Sequence, residues 1–192
     1  MKIFYTASYL GKQKYQQNYN QVLQAIEATG SEVISPEKGN YQSLLSADEI
    51  AELKYPNKIH YEAIRKGILW ADAVIIEITN EDFQLGHEAT LAIQNKKYVL
   101  CLSLFEDFSD KIQNRYFYGA KYNEYSIEEI VDNFIKTVED DQFSERFNLF
   151  LSPSQTQFLE KKAVENNMNK SEYLRFLLDR DMKVKKTEPE LT

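Results

Sequence analysis

Two runs of residues constrain this chain more than anything else in it. Ala73-Val-Ile-Ile-Glu-Ile78 and Tyr98-Val-Leu-Cys-Leu-Ser-Leu104 are nearly continuous apolar stretches without period-two alternation, the pattern of strands covered on both faces. Helical patterns surround them. His60 to Trp70 places Ile64, Ile68 and Leu69 on one face, and Gln84 to Asn95 turns Ala89, Ala92 and Ile93 inward. Lys2 to Ala7 reads as a first strand, Gly11 to Gly30 as a helix closing on a C-cap glycine, and Ser31 to Pro36 as a short second strand. A long polar connection, Glu37 to Asn57, holds only a weak helix over Ser46 to Lys54. Arg115 to Tyr122 supplies a last strand, and Ser126-Ile-Glu-Glu129 is a capping box that opens a helix to about Glu139. Strand and helix alternate, which predicts an α/β fold over residues 1–140: an open, doubly wound parallel sheet of the flavodoxin or Rossmann type with right-handed crossovers.

The remainder follows a different pattern. Asp140 to Ser144 is a polar hinge, and Arg146-Phe-Asn-Leu-Phe-Leu151 alternates as a strand with Arg146, Asn148 and Phe150 on one face. Ser152-Pro153 opens a helix, and Asn169-Lys-Ser-Glu172 caps another running to about Met182. A lone strand needs a partner, and the same strand of a second subunit is the simplest one. Residues 145–182 resemble the ribbon-helix-helix module of small bacterial DNA-binding dimers, including the Ser-Glu-x-x-Arg-x-x-Leu pattern at Ser171 to Leu178. That resemblance implies a homodimer, with Arg146, Asn148 and Lys170 as DNA contacts. Residues 183–192 read as a charged, disordered tail.

Composition narrows the function classes. With 23 Lys and Arg against 30 Asp and Glu the net charge is -7, which disfavours wholesale coating of nucleic acid. One cysteine, Cys101, sits in an apolar run and reads as a small buried thiol. Neither a signal-peptide pattern nor a membrane-length apolar stretch occurs, so a cytoplasmic protein without membrane contact is expected. Two histidines, His60 and His87, and that cysteine predict neither a metal site nor a cofactor.

In open parallel sheets ligands bind beyond the carboxyl ends of the strands. Glu88 falls near the start of the helix that leaves the Ala73 strand, where the helix dipole would keep a carboxylate ionised beside Gly86, a glycine that admits a ligand. Such a carboxylate suits nucleophilic attack, although acidic residues near helix starts are also ordinary caps. Ser8, Gly11, Lys12 and Lys14 follow the first strand, where free N–H groups and a lysine suit a phosphate. Tyr5, Tyr9, Tyr15, Tyr19 and Tyr41 can stack on a base, although tyrosines on helix faces are commonly packing residues.

The stretch Ala71 to Leu102, with an Ala-Asp-x-Val strand, a Glu-x-Thr exit, Leu-Gly-x-Glu, an alanine helix and Lys-Lys-Tyr-Val-Leu-Cys-Leu, resembles the nucleoside 2-deoxyribosyltransferase and 2'-deoxynucleoside 5'-phosphate N-hydrolase family. The opening Lys-Ile-Phe-Tyr-Thr-Ala-Ser8 matches that family's first strand. The resemblance implies that Glu88 attacks C1' of a sugar, that Asp82 contacts the base, and that Tyr5, Ser8, Lys12, Asp72, Thr79, Gly86 and His87 line the substrate. It also implies a nucleoside, nucleotide or NAD-type substrate and no cofactor. Two positions depart from the family: Phe4 stands where a catalytic tyrosine is usual, and Ile64 where a second acid assists, with Tyr61 or Glu62 as candidate replacements. The fusion further resembles toxin-like effectors of bacterial phage defence. The alternative is a nucleotide-sensing, DNA-binding regulator with a catalytically weakened first domain.

Overall fold

The computed structural model describes residues 1–142, 149–166 and 168–184, which fall into two compact units, Met1–Ser144 and Glu145–Thr192. In the first, five parallel strands run β1 (Lys2–Ala7), β2 (Glu32–Ile34), β3 (Ala73–Glu77), β4 (Tyr98–Ser103) and β5 (Phe117–Lys121), in spatial order β2-β1-β3-β4-β5. The doubly wound parallel sheet expected from the sequence is therefore present. β3 and β4 are buried along their whole lengths, as their unbroken apolar runs require.

Two helix layers cover the sheet. α1 (Lys12–Ala28) and α5 (Ile127–Gln142) pack on the face carrying Ile3, Tyr5, Ile75 and Leu100, through Val22, Ile26, Val131 and Phe134. α3 (Pro56–Trp70) and α4 (Phe83–Gln94) cover the other face, where Ile64, Ile68, Leu85 and Ala89 meet Phe4, Val74, Ile76 and Val99. Because α1 follows β1 onto one face and α4 follows β3 onto the other, the connections leaving these paired strands diverge, and a crevice opens at their carboxyl ends.

Local chemistry sets several boundaries. Gly30, at φ +74, closes α1 in the left-handed region that an L side chain rarely adopts. The Glu37 to Asn57 connection is more ordered than expected: it holds a 3-10 turn at Tyr41–Leu44 and α2 (Ala47–Leu53), opened by a Ser46/Glu49 capping box. The Ser126 box expected before α5 gives way to a turn centred on Asn123, whose Oδ1 accepts the Tyr125 and Ser126 N–H groups while the Ser126 hydroxyl accepts the Asn123 N–H. Cys101 is buried, and burial pushes its thiol up to about 12, which leaves it protonated and inert.

The second unit contains α6 (Pro153–Glu165) and α7 (Lys170–Val184). Ser152 and Gln155 form a capping box at the start of α6, and Asn169 and Glu172 cap α7 reciprocally, at 3.0 and 2.7 Å. Leu159, Ala163 and Tyr173 are buried between the helices. The strand expected over Arg146 to Leu151 lies partly outside the described residues, with Arg146 and Asn148 among those that do. Its described end, Leu149 to Leu151, is not in a strand, because a strand exists only once a neighbour supplies its ladder. α7 also runs two residues past its expected end into the segment read as a tail, whose remainder lies outside the described residues.

Candidate active site

The β1/β3 crevice is organised by side chains from both strand ends. Ser8, fully buried, donates to Asp82 Oδ2 at 2.7 Å and accepts from Asn80 Nδ2 at 3.0 Å. The other Asp82 oxygen accepts the Leu85 N–H at 3.1 Å, which makes Asp82 the N-cap of α4. Both oxygens are thus engaged in holding α4 against the end of β1. Asp82→Ala is expected to cost about 0.5–2 kcal/mol through the lost cap, read in denaturant unfolding.

Glu88 lies one turn further into α4 than the sequence suggested. The helix begins at Phe83, with Asp82 at its N-cap accepting the Leu85 N–H, so Glu88 lies in the second turn, faces inward and is only 1% exposed. Its Oε1 accepts from Gln84 Nε2 at 2.8 Å, while Oε2 is buried without a hydrogen-bond partner. The expected dipole-stabilised, low-pKa carboxylate is not what the structure contains: burial pushes the group up to about 7. Gln84 and the nearby Thr6 hydroxyl oppose that rise, and the charge of Asp82 adds to it.

A cavity of about 460 Å³ between α3 and α4 reaches Glu88, within the usual range for small-molecule sites. Tyr61, Ile64, Phe83 and Leu91 give it an apolar wall, and Asn57, Arg65 and His87 contribute polar atoms. Tyr61 and His87 stack with ring centroids 6.0 Å apart. A second, more polar chamber of about 290 Å³ adjoins it, lined by Thr6, Tyr9, Lys12, Glu37 and Asp82. His60, Ile64 and Gln84 border both chambers. Lys12 pairs with Glu37 at 2.8 Å, so the charge expected to hold a phosphate is already partly neutralised. Among the described residues no cluster of three or more His, Cys, Asp or Glu can hold a metal ion.

The sequence expectations divide clearly. Glu88, Asp82, Ser8, Lys12 and His87 gather around the crevice. Tyr5 does not, because it alternates to the α1 face, where its hydroxyl donates to the Tyr19 carbonyl at 3.1 Å and burial and the nearby Glu77 push its pKa well up. Asp72 sits at the amino end of β3, where it accepts the Lys2 N–H at 2.8 Å, the wrong edge of the sheet for a ligand. Thr79 braces Glu77, donating to it through both its hydroxyl and its N–H. Gly86 lies inside α4 on its exposed side, with its backbone committed to helix bonds, so it brings no ligand near. Of the candidate replacements for the missing acid, Tyr61 reaches the cavity, whereas Glu62 turns away and pairs with Arg65 at 2.5 Å. Of the tyrosines, Tyr9 lines the polar chamber, Tyr15 packs edge-on to Phe105, and Tyr41 Oη meets His60 Nδ1 at 3.0 Å.

Two participants are not marked by the sequence, Gln84, four residues before Glu88 and so on the same helix face, and His60, one turn before Ile64. Thr6 belongs to the strand end Thr6 to Ser8, where a ligand is expected, and it lines the polar chamber. Glu77, a buried carboxyl on the opposite face, is a brace: Tyr122 donates to it at 2.9 Å, and burial holds its pKa up. In the second unit Lys170 pairs with Glu160 at 2.7 Å.

No helix among the described residues is long and apolar enough to cross a membrane. No family model and no curated protein matches this chain. Among solved structures, Smu.1420 from Streptococcus mutans UA159 aligns with 73% of this chain and 100% of its own, at 9% identity and a TM-score of 0.35, a likeness too distant to bear on fold or function.

Proposed function

We propose that the first unit cleaves or transfers the N-glycosidic bond of a nucleoside, nucleotide or NAD-type substrate, with Glu88 as nucleophile. The observation that carries this reading is Glu88 Oε2, a buried carboxyl oxygen without a partner, on a residue that lines an aromatic-walled cavity. An aromatic base stacks on such a wall. Glu88 Oε2 attacks C1', the C1'–N bond breaks, and the base leaves with the bonding electrons. Water or a second base then displaces the glycosyl ester, regenerating the carboxylate. The sequence resemblance around Leu-Gly-x-Glu88 supports the same assignment.

Because only the carboxylate attacks, and Glu88 titrates at about 7, kcat/KM is expected to rise with pH through that value. Incubation with a panel of nucleosides, nucleotides and NAD across pH 5.5–8.5, with free base followed by chromatography, tests the reading. Absence of base release from every member contradicts it.

A second reading has its own observation. Phe4 and Ile64, where the resembling family carries reactive groups, are buried in the apolar core, which favours a domain that binds a nucleotide without turning it over and regulates DNA through the second unit. Both readings invoke a homodimer. Leu149, Phe150 and Leu151 are exposed in the single chain, Phe150 at 96%, and a partner copy would cover them. Truncation after Ser144 is therefore expected to lower the mass seen by light scattering relative to the full chain; an unchanged assembly would place the interface on the first unit.

A further inference from the structure

The α3/α4 cavity has a floor and a rim of different chemistry. Ile64 and Glu88, 4% and 1% exposed, form the floor, whereas Tyr61, Phe83 and His87 are exposed at the rim. A nucleoside that brings C1' to Glu88 therefore carries its base among the rim aromatics. Arg65, one helical turn beyond Tyr61, lines the same cavity. Its Nε and Nη2 donate to the two Glu62 oxygens at 2.9 and 2.5 Å. A guanidinium carries five N–H donors in a rigid fork, and this contact occupies only the side along Nε. The end of the fork keeps one N–H on each terminal nitrogen, two parallel donors that match a pair of adjacent acceptors.

The charges decide what those donors take. Glu62 balances Arg65, and Glu88 is anionic whenever it attacks, so a phosphate or carboxylate meets no net positive charge here. A neutral ligand with two adjacent acceptors meets no such penalty. O6 and N7 of a 6-oxopurine are such a pair, whereas adenine sets an amino donor beside N7, thymine offers one acceptor and cytosine a donor. We propose that this cavity selects a 6-oxopurine, with Arg65 donating to O6 and N7 of the base. Glu62 is a positioning residue that fixes the plane of the fork. As Glu88 Oε2 bonds to C1' and the C1'–N9 bond breaks, the electron pair stays on the purine, and the Arg65 N–H groups meet the charge that spreads to O6 and N7. The purine anion takes a proton from water, and the hydroxide left behind displaces the ester at C1' and regenerates the carboxylate. Arg65 is charged throughout the range in which Glu88 ionises, so no second titration enters. Phe4 and Ile64 offer no acid to the departing base, and the two donors of Arg65 take over that task.

The departure step rests on the glycosidic reading; recognition of the base does not. 9-Methylhypoxanthine, 9-methyladenine and 9-methyl-7-deazahypoxanthine carry the base edges of nucleosides and have no glycosidic bond, so calorimetric titration of the full chain with each measures recognition alone. 9-Methylhypoxanthine is expected to bind about 10- to 100-fold more tightly than 9-methyladenine, and to lose most of that advantage when the 7-deaza change removes N7. Arg65→Met is expected to erase the preference. Arg65→Lys keeps the charge without the fork and is expected to erase it as well. Equal binding of the hypoxanthine and adenine probes, or a preference that survives in Arg65→Met, overturns the proposal. So does displacement of 9-methylhypoxanthine by inorganic phosphate, which would assign Arg65 to an anion. The expected binding preference without base release from inosine or deoxyinosine upholds the recognition and counts against the glycosidic reading alone.

Discussion

Glu88→Gln is expected to abolish base release and, above pH 7, to make the chain more stable by about 3 kcal/mol. The two effects share one cause. Burial raises the Glu88 carboxyl to about 7, whereas the unfolded chain ionises near its ordinary value. Between those two values the native state holds a proton that the unfolded state has lost, so wild-type stability falls as pH rises through the interval. Above it the full difference has been lost, about 1.4 kcal/mol for each pH unit separating the two values. Glutamine has the shape of the neutral acid and carries no charge at any pH, so the variant escapes that loss. Below about pH 4.5 the two proteins are expected to unfold at the same denaturant concentration, since both carry a neutral group at position 88. Denaturant unfolding at pH 4.5 and pH 8.5 checks this: a glutamine variant less stable at the higher pH would mean that the carboxylate is held by favourable contacts.

Gly67→Ala is expected to destabilise the first unit by about 1–3 kcal/mol, the usual cost of forcing an extra methyl into a packed core. Gly67 faces the Phe4 ring so closely that an added Cβ would overlap its edge. The ring is itself fully buried and cannot move out of the way. α3 would have to lift from β1, carrying His60 and Ile64 away from Gln84 and Glu88, and turnover should fall together with stability. Phe4→Leu in the same chain vacates the clash, so the double variant is expected to be more stable than the sum of the two single changes predicts. Additivity in thermal unfolding would show that the two residues do not meet.

The sheet was legible because buried strands announce themselves: Ala73 to Ile78 and Tyr98 to Leu104 admit no other reading in a chain of alternating strands and helices. β1 and β2 followed from short apolar, β-branched runs ending at Ser8 and Pro36, whereas the order β2-β1-β3-β4-β5 is known only from the structure. Position on the sheet was harder to read. Tyr5 and Phe4 differ by one residue and therefore by a whole face, as the strand period requires, but only the structure shows Phe4 sealed in the α3/α4 core while Thr6, two residues on, reaches the polar chamber. Asp72 failed for a related reason, since it lies at the entering end of its strand, where no ligand gathers.

Glu88 was found by its motif, yet its electrostatics were misread. The helix starts at Phe83, and Asp82 occupies the N-cap, so the dipole argument applied to the wrong carboxylate. Gln84 and His60 were not legible as a pair, because their contact depends on how α3 crosses α4. The ordered connection that brings Tyr41 onto His60 read as a polar loop, since a 3-10 turn leaves almost no periodic signal. In the second unit the two helices were legible from their caps, Ser152-Pro153 and Asn169 to Glu172, which announce a helix start without help from packing.

The most direct test of the central claim is to trap the glycosyl ester. A 2-deoxy-2-fluoro nucleoside slows hydrolysis of such an intermediate, because the electron-withdrawing fluorine disfavours the oxocarbenium-like transition state. Incubation with this probe, followed by an acid quench, peptide digestion and mass spectrometry, should find the fluorosugar on the peptide containing Glu88 and on no other, with one equivalent of base released. Base release with no adduct, or an adduct on a different carboxylate, would contradict the assignment of Glu88 as the nucleophile.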